Sequence, residues 1–386
     1  MAKNIYYIGG GPASIISAIY LKMHHRDVNV FVIERNDQPL KKLKMTGNGK
    51  CNISPLKDES HRYTNQLFVE KLFKDISLNE YLNILNEIGI ATKTIKEYGY
   101  YPVSESAPNV AKILLNKCKE LNIGIIKDTI ADYRLENNHV TLLGNNNKYE
   151  ADKAVFSVGG LAHPETGSDG NLIKVFKDHG YSIVDLKPSL CPIKVKDNIK
   201  DLFGVRGEGK VSLLYQDKVI KEEYGEVMFK KDALSGICVM NLSKYIVGKP
   251  NDYKIKVDLL NDINPSFSNG ISVSDYLLSL VKEPLKNYVM NKLGLKETIL
   301  NKETFILINN CLRGMAFNVD SLYDFKEAQV TRGGISLEDI NEKFSSKLEE
   351  NVYFIGEVID VDGECGGYNL RFYITSGIKL SKSLFQ

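Results

Sequence analysis

The chain has 386 residues, 43% of them hydrophobic and 25% charged, the ordinary mixture of a globular protein large enough for two or three domains. Fifty basic and 48 acidic side chains leave a formal net charge of +2, which argues against a nucleic-acid or membrane-surface partner. Six scattered cysteines form no CxxC pair, and neither a signal peptide nor a membrane-length apolar run is evident. We therefore expect a cytoplasmic protein with reduced thiols, no disulfide framework and no metal site.

The first predicted elements are a strand, a glycine turn and a helix, in the stretch IYYIGGGPASIISAIYLKMHH. Gly9 and Gly11 occupy the first two glycine positions of GxGxxG, and Ser14 occupies the third. The first glycine permits a tight turn, and the second lets a pyrophosphate approach the backbone at the helix N-terminus. A second strand, VNVFVIER, ends at Glu34, whose carboxylate would accept hydrogen bonds from adenosine ribose hydroxyls. This context predicts a dinucleotide site rather than an ordinary glycine turn.

The stretch after Glu34 favours FAD over NAD. An NAD-binding fold normally continues its strand–helix alternation, whereas this chain enters the irregular loop NDQPLKKLKMTGNGKCNIS. A loop that leaves the second strand and passes back over the cofactor is common in FAD folds. Gly47 and Gly49 would give that loop a bare backbone, which lets the cofactor approach and offers it N–H donors.

Two later segments repeat the pattern of an apolar strand followed by glycine. KAVFSVGG ends in Gly159 and Gly160 and is predicted to lie under the adenosine end of the cofactor. NVYFIGEVIDVDG contains Gly356 and Glu357, and Glu357 would accept a hydrogen bond from a ribityl hydroxyl, with Asp360 or Asp362 as nearby candidates. GECGGYNLRFYITSGIKL then predicts a glycine turn entering a helix, whose N-terminus would stabilise reduced flavin at its N1–C2=O edge.

The sequence pattern in the middle of the chain predicts a β-domain and a helical subdomain inserted into the FAD-binding domain. Short alternating runs between 188 and 245 indicate a small β-domain, and two helical patterns follow between 272 and 314, the first bent or divided at Pro284. The predicted fold class is α/β, a Rossmann-like FAD-binding domain of the two-dinucleotide-binding-fold type with an inserted small β-barrel-like domain and a helical cap. We assign 1–187 and 336–386 to the FAD domain, 188–262 and 315–335 to the β-domain, and 263–314 to the helical subdomain.

Six blocks, in order along nearly the whole chain, resemble the YhiN/BaiN-like family of bacterial flavoproteins, which contains FAD-dependent reductases and an aminoacetone oxidase. The blocks are KLKMTGNGKCN (42–52), GYYPVS (99–104), FSVGGLAHPETGS (156–168), GEVMFKKDALSGI (225–237), AQVTRGGI (328–335) and GEVIDVDGECGGYNLR (356–371). The chain departs from the family pattern at Ser14, at Lys230-Lys231 in place of Thr-His, and at Gly236-Ile237 in place of Gly-Pro. These departures concern the choice of substrate more than the choice of cofactor.

The resemblance implies FAD as the cofactor and a set of residues that bind it. The implied FAD-binding residues are Gly9, Gly11, Pro12, Ala13, Ser14, Glu34, Lys42, Thr46, Gly47, Asn48, Gly49, Cys51, Asn52, Gly159, Gly160, Thr331, Gly356, Glu357, Asp362, Gly366, Gly367, Tyr368, Asn369 and Leu370.

Two side chains are candidates for catalysis. Tyr101 would line the substrate side and donate a proton from its phenol, although it could equally belong to a tyrosine-rich surface hairpin. His163, in a loop beside the proposed cofactor site, could carry protons or be an ordinary loop residue. Cys51 and Cys365 could both lie near the flavin, but without a CxxC motif each is more typical of a small packing residue.

The predicted function is that of an FAD-dependent oxidoreductase that exchanges a hydride between flavin N5 and a small organic substrate. Because no second GxGxxG follows a strand, NAD(P)H would act as a transient co-substrate that docks directly at the flavin. One version of this enzyme reduces an activated C=C bond. The alternatives are an amine or aminoketone oxidase that passes electrons to O2, which hydrogen peroxide release would reveal, and a non-enzymatic flavin-binding module that senses redox state. The oligomeric state is left open.

Overall fold

The structure is a computed structural model that describes residues 2–95, 99–136 and 139–385. Its strands are β1 Asn4–Ile8, β2 Asn29–Glu34, β3 Thr92–Ile95, β4 Gly99–Pro102, β5 Gly124–Lys127, β6 Ile130–Glu136, β7 His139–Gly144, β8 Lys148–Ala151, β9 Lys153–Phe156, β10 Ile183–Ser189, β11 Ile193–Val195, β12 Arg206–Tyr215, β13 Lys218–Phe229, β14 Ala233–Ser235, β15 Tyr253–Asp258, β16 Met315–Leu322, β17 Val330–Ile335 and β18 Val352–Phe354. Its α-helices are α1 Pro12–His24, α2 Gln66–Asp75, α3 Leu78–Ile88, α4 Ala107–Glu120, α5 Ile173–Asp178, α6 Ile237–Ser243, α7 Val273–Leu280, α8 Glu283–Leu293, α9 Lys302–Arg313 and α10 Tyr368–Ser383. None of the helices in these ranges has the length and apolarity that crossing a membrane requires.

The chain divides into two compact units, each with its own hydrophobic core. The first unit comprises Met1–Lys187 and Gln329–Gln386, and the second comprises Pro188–Ala328. Strand β17, which we had assigned by sequence to the β-domain, lies in the first unit and pairs with β10.

A five-stranded parallel sheet in the order β18-β9-β1-β2-β5 forms the centre of the first unit. In its register Ile8 pairs with both Ile33 and Phe156, and Phe156 pairs with Phe354. Strands β1, β2, β9 and β18 are largely buried. Helix α1 packs beside β1 and β2, and the antiparallel sheet β6-β7-β8 also lies against the parallel sheet, with Tyr149 beside Tyr6 and Tyr133 beside Phe156. Since the strands are parallel and in register, their carboxyl ends meet at one edge of the sheet, which is where ligands bind in folds of this kind.

Helices α1 and α10 pack against each other through small residues. A Cβ added to Gly377 of α10 would lie only 2.6 Å from the carbonyl oxygen of Ala13 in α1. The Ser17 hydroxyl donates a hydrogen bond to the Gly377 carbonyl over 2.9 Å. Because both helices begin after glycine turns, this contact fixes the two helix N-termini relative to one another.

The second unit is built on a closed antiparallel barrel in the order β11-β14-β13-β12-β15-β16, which confirms the predicted barrel-like insertion. The predicted division ahead of Pro284 is also confirmed. Helix α7 ends at Leu280, and Val281 and Lys282 adopt extended backbone before α8 begins. Pro284 lies in the first turn of α8, where its missing N–H removes no intrahelical hydrogen bond.

Candidate FAD site

Four of the predicted motifs follow the carboxyl ends of strands in the parallel sheet. Gly9 follows β1, Glu34 ends β2, Gly159 follows β9 and Gly356 follows β18. Although they are up to about 350 positions apart in the sequence, the sheet brings them to one edge. The structure therefore groups the main predicted cofactor residues at the place where this fold binds ligands.

The first glycine turn has the shape of a phosphate cradle. Gly9 has φ +95°, and a Cβ there would lie 2.4 Å from the Ser157 carbonyl oxygen, so the turn itself requires glycine. A Cβ on Gly11, in contrast, would meet no atom within 4 Å. Protein packing does not explain the bare backbone at Gly11, whereas the approach of a pyrophosphate does.

The N-terminus of α1 at this turn is open to an anion. Pro12, Ala13 and Ser14 form its first turn, and no side chain caps it. Its backbone N–H groups and the helix dipole therefore favour a negatively charged ligand. The Ser14 hydroxyl is buried and has no hydrogen-bond partner in the described part of the chain. The residues present thus fit the pyrophosphate of FAD.

Glu34 is buried, and its carboxylate organises the first glycine turn. One oxygen, Oε2, accepts a hydrogen bond from the Gly10 N–H over 2.7 Å. The other, Oε1, accepts from the backbone N–H and the side-chain amide of Asn36 over 2.8 and 2.7 Å. The Asn36 amide also donates to the Thr166 carbonyl over 2.9 Å, which links the loop after β2 to the loop after β9. Sequence reasoning did not identify Asn36.

Replacing Glu34 with glutamine is expected to weaken FAD binding by about 1–3 kcal/mol, the range for hydrogen bonds to charged groups. The amide offers one acceptor oxygen where the carboxylate offers two, so the Gly10 and Asn36 donors and the ribose cannot all be satisfied. The flavin midpoint potential should barely move, because Glu34 serves the adenosine end. Flavin fluorescence titration of the deflavinated protein measures the affinity, with Asp37→Asn, at an exposed carboxylate, as the control. A large potential shift at unchanged affinity would contradict the assignment.

The loop TGNGKCN, residues 46–52, is folded as consecutive 3-10 turns with several left-handed residues. Gly47, Asn48, Gly49 and Cys51 all have positive φ, between 53° and 81°. A Cβ on Gly47 would lie 2.9 Å from the Asn52 backbone nitrogen, so the turn requires glycine there. A Cβ on Gly49 would meet nothing within 4 Å, as at Gly11. At Gly49 the positive φ of 81° alone favours glycine, unlike at Gly11.

A short hairpin, β3–β4, holds this loop in place. The Ile53 N–H donates to the Tyr100 carbonyl over 2.8 Å, and the Tyr100 N–H donates to the Ser54 carbonyl over 2.7 Å. The Tyr101 ring lies against the loop, since a Cβ on Gly47 would be 3.7 Å from Tyr101 Cε1. Tyr101, on β4, thus lies against the loop proposed to lie along the flavin.

Cys51 is buried among apolar side chains. It lines a cavity of about 10 Å³ together with Pro12 and Leu370, at the junction of α1 and α10. Burial raises the pKa of its thiol to about 11. At neutral pH the group is therefore a neutral thiol, which is a poor nucleophile.

We expect iodoacetamide at pH 8 to leave Cys51 unmodified in the native protein. With a pKa of about 11, roughly one thiol in a thousand is ionised at that pH, and the group is also inaccessible. Peptide mapping by mass spectrometry after timed alkylation measures this, and alkylation in denaturant shows that the peptide is detectable. Rapid modification of native Cys51 would show that the thiol is reactive after all.

Glu357 is a second buried carboxylate at the sheet edge. Lys42 Nζ lies 2.8 Å from Glu357 Oε2, and the Thr331 N–H donates to Oε1 over 2.9 Å. The Thr331 hydroxyl in turn accepts hydrogen bonds from the N–H groups of Leu161 and Ala162 over 2.7 and 2.9 Å. This network joins the loops after β2, β9 and β18 to β17. A ribityl hydroxyl would bind a carboxylate that the protein already holds in place.

The last glycine turn meets the 46–52 loop. A Cβ on Gly367, which has φ +89°, would lie 2.6 Å from Asn52 Oδ1, so the two segments are in direct contact. Asn369 exchanges hydrogen bonds with Gly363, accepting from its N–H over 2.8 Å and donating to its carbonyl over 2.9 Å. Helix α10 begins at Tyr368, directly after the turn, as the glycine pattern predicts.

The two catalytic candidates are tied to different segments. The His163 ring is 3.1 Å from a Glu165 carboxylate oxygen, and the Lys41 ammonium donates to the Glu165 carbonyl. The neighbouring Thr166 carbonyl binds Asn36, so the His163 loop belongs to the Glu34 end of the site. Tyr101 is instead a residue of β4 whose ring contacts the 46–52 loop. The structure does not bring these two side chains into contact.

Gly333 and Gly334 of β17 are further site residues that sequence reasoning missed. A Cβ on Gly333 would lie 2.4 Å from the Asp185 carbonyl oxygen, and one on Gly334 would lie 2.4 Å from the Val358 carbonyl oxygen. Both have positive φ; Gly333 lets β17 approach β10, and Gly334 lets it approach the turn that carries Glu357. The adjacent glycines in AQVTRGGI were the available signal.

Comparison with known proteins agrees with this geometry. The model of the HI0933-like protein Rossmann domain matches residues 3–383. A 3-dehydro-bile acid delta(4,6)-reductase of Clostridium scindens is 25% identical over 97% of this chain and 97% of its own length. Two further relatives are named ribosomal RNA dihydrouridine synthase. The one from Haemophilus influenzae is 25% identical over 99% of this chain and 98% of its own length. The one from Escherichia coli is 24% identical over 98% of this chain and 96% of its own length.

Two solved structures share the fold. The 3-ketosteroid delta1-dehydrogenase of Sterolibacterium denitrificans superposes with a TM-score of 0.52 at 11% identity and covers 99% of both chains. The FrdA chain of E. coli quinol fumarate reductase gives a TM-score of 0.51 at 11% identity, over 99% of this chain and 69% of that one. Together with the match along nearly the whole sequence, the site geometry establishes that this chain belongs to the HI0933-like Rossmann-domain family of FAD-dependent oxidoreductases.

Proposed function

We propose that the protein reduces a carbon–carbon double bond conjugated to a carbonyl group in a small organic substrate, with NAD(P)H as the transient donor. The names of its relatives support this reaction class, because a 3-dehydro-bile acid delta(4,6)-reductase and a dihydrouridine synthase both reduce such a bond. The observation that carries the proposal is the edge of the parallel sheet, where the open cradle at Gly11 and the carboxylates Glu34 and Glu357 lie together.

Bound FAD would supply the hydride chemistry, and the chain binds and orients it. Gly11 and the N-terminus of α1 would hold the pyrophosphate, and Glu34 the adenosine ribose. Glu357 would accept a hydrogen bond from the ribityl chain. The glycine turn before α10 would direct a helix N-terminus at the pyrimidine edge of the flavin, which favours the anionic reduced form.

The donor should bind weakly and briefly. The sequence contains no second glycine cradle after a strand that could hold a nicotinamide dinucleotide. Donor and substrate must then contact the same flavin atom in turn, which predicts ping-pong kinetics with parallel double-reciprocal lines.

Anaerobic stopped-flow absorbance of the flavin at about 450 nm tests the proposed function. NADH or NADPH should bleach the flavin, and an α,β-unsaturated ketone such as 2-cyclohexenone should restore the oxidised spectrum. Bleaching by an amine or aminoketone, followed by hydrogen peroxide release in air, would instead identify an oxidase. Absence of any turnover, together with a flavin-dependent protein partner, would identify a redox-sensing module.

A uridine ring in RNA is the second candidate substrate, because two of the relatives carry the name ribosomal RNA dihydrouridine synthase. The near-zero net charge of +2 favours a small molecule, since proteins that bind RNA generally carry an excess of basic residues. Incubation of reduced enzyme with rRNA that lacks dihydrouridine, followed by nucleoside mass spectrometry, distinguishes the two substrates.

A further inference from the structure

Two loops lie on either side of the first glycine turn at the sheet edge. The strand order places β1 between β9 and β2, so loop 35–42, which follows β2, and loop 157–172, which follows β9, flank the carboxyl end of β1. Loop 35–42 donates a backbone N–H to the Gly10 carbonyl over 2.9 Å. A Cβ on Gly9 would lie 2.4 Å from the carbonyl oxygen of the first residue in loop 157–172. Both loops therefore touch the turn that is proposed to hold the pyrophosphate.

The same two loops contact each other across the end of β1. The Asn36 side-chain amide donates to the Thr166 carbonyl over 2.9 Å. The Lys41 ammonium donates to the Glu165 carbonyl over 2.6 Å. A Cβ on Gly167 would lie 2.5 Å from Asn36 Nδ2, so the backbone of one loop lies directly against a side chain of the other. These contacts close the space above the carboxyl end of β1 on the side of loop 35–42.

An ion pair at the surface also joins the loops. A guanidinium nitrogen of Arg35 lies 2.5 Å from a carboxylate oxygen of Asp169, and the two side chains are 35% and 37% exposed. Between these loops the described residues form no backbone–backbone hydrogen bond. The polar contacts across the gap therefore use side chains and can break without disrupting a β-sheet. We call the contacts of Arg35, Asn36 and Lys41 with loop 157–172 the inter-loop bridge.

The inter-loop bridge is connected to the carboxylate that would bind the ribose. Asn36 donates to Glu34 Oε1 from its side-chain amide and from its backbone N–H, over 2.7 and 2.8 Å. Glu34 Oε2 accepts from the Gly10 N–H over 2.7 Å. Direct contacts thus run from the glycine turn through Glu34 and Asn36 to loop 157–172. With a pyrophosphate at Gly11 and a ribose at Glu34, the adenosine half of the cofactor would have the bridge beside it.

We propose that the inter-loop bridge controls the exchange of FAD, an inference that rests on the placement of FAD in the proposed function. The bridge opens to let FAD enter or leave and closes beside the bound adenosine. Its ion pair is partly exposed and so contributes little stability, which allows repeated opening. Weakening the bridge should increase the fraction of time that it is open, with and without FAD. The association and dissociation rates of FAD should then rise by the same factor, and the dissociation constant should stay the same.

The test measures both rates in the wild type and in variants of the ion pair. Exchange of the holoenzyme against an excess of isotopically labelled FAD, followed by mass spectrometry, gives the dissociation rate. Stopped-flow flavin fluorescence with the deflavinated protein gives the association rate. Asp169→Asn removes the charge and keeps an oxygen for the Asn171 N–H, so it should raise both rates by about two- to fivefold, the range for one exposed ion pair. Asp169→Arg brings two cations together and should raise both rates by about tenfold.

A charge swap separates the ion pair from an effect on folding. The double variant Arg35→Asp/Asp169→Arg again has opposite charges and should return both rates toward the wild-type values, whereas damage to the loop structure would not be repaired. The control is Asp178→Asn, which removes an exposed ion pair with Lys174 on α5 and should leave both rates unchanged. Added salt should accelerate FAD exchange in the wild type more than in Asp169→Asn, because salt screens the ion pair.

The outcomes distinguish this inference from the proposed function. Unchanged rates in both Asp169→Asn and Asp169→Arg overturn the inference alone. Faster release at an unchanged association rate overturns it too, because the ion pair would then contribute affinity rather than control access. A wild-type protein that binds no FAD overturns the proposed function and the inference together. Equal increases of both rates that the charge swap reverses support the inference, whichever substrate reoxidises the flavin.

Discussion

Gly11→Ala is expected to abolish tight FAD binding and leave the fold of the deflavinated protein intact. Gly11 has φ −73° and ψ 174°, which alanine adopts freely, and the added methyl group would meet no protein atom within 4 Å. Replacing glycine by alanine at a helix N-cap costs less than about 1 kcal/mol. The methyl group would, however, occupy the space through which the pyrophosphate approaches. We expect the dissociation constant for FAD to rise by about 100-fold, or roughly 2.7 kcal/mol.

Gly9→Ala and Ser14→Ala provide the comparison. Alanine at Gly9 must adopt φ +95° and place its Cβ 2.4 Å from the Ser157 carbonyl oxygen, so the fold itself should lose roughly 2–5 kcal/mol. Ser14→Ala removes a buried hydroxyl that has no partner among the described residues, so it should leave the stability of the deflavinated protein nearly unchanged and weaken FAD binding less than Gly11→Ala does. Denaturant unfolding of the deflavinated proteins and fluorescence titration with FAD measure the two effects separately. Normal FAD affinity in Gly11→Ala would place the pyrophosphate elsewhere.

The elements that sequence predicts well are those whose signals are local. The strand, glycine turn and helix from Asn4 to His24 are specified by an apolar run, the Gly9 turn and a proline in the first helical turn. The division between α7 and α8 follows from Pro284 in the same way, since proline fits only the first turn of a helix. In each case the physical cause lies within a few residues of its effect.

The parts of the site that sequence reasoning missed depend on contacts between distant segments. Asn36 binds the Thr166 carbonyl, 130 positions away. Thr331 was predicted from the sequence, but its hydrogen bond with the N–H of Leu161, 170 positions away, was not. Nothing in the sequence near Asn36 distinguishes it from an ordinary turn residue. Only the folded structure shows which polar residues are held in place by hydrogen bonds from segments that are distant in the sequence.

Net charge is a similarly limited guide to partners. A total of +2 from 50 basic and 48 acidic groups describes the whole chain and not its distribution over the surface. Two relatives whose names refer to ribosomal RNA align over nearly the full length of this chain, so the expectation that nucleic acid is excluded stays a prediction. The rRNA incubation described above decides it.

The largest effect on stability is expected at Arg371, the largest fully buried side chain. Its guanidinium makes two hydrogen bonds of 3.0 Å to the Asp58 carboxylate and donates to the Ile76 carbonyl over 2.8 Å and to the Thr375 hydroxyl. It also lies between the rings of Phe73 and Tyr81, 4.4 and 4.5 Å from their centroids. These contacts attach the segment from Asp58 to Tyr81 to helix α10.

Arg371→Met is therefore expected to lower the free energy of unfolding by roughly 3–5 kcal/mol, the cost of removing one partner of a buried ion pair. The methionine fills most of the volume but leaves the Asp58 carboxylate, whose side chain is 20% exposed, without its counter-charge. Adding Asp58→Asn should recover part of the loss, because the double variant no longer holds an unpaired charge. The control is Lys379→Met, because Lys379 lies on α10 like Arg371 and forms a partly exposed ion pair with Asp75 of α2. This substitution should lower the free energy of unfolding by no more than about 1 kcal/mol. Urea unfolding of the wild type, Arg371→Met, the double variant and Lys379→Met measures these free energies. If Arg371→Met lost no more stability than Lys379→Met, the buried guanidinium would contribute specificity of packing rather than stability.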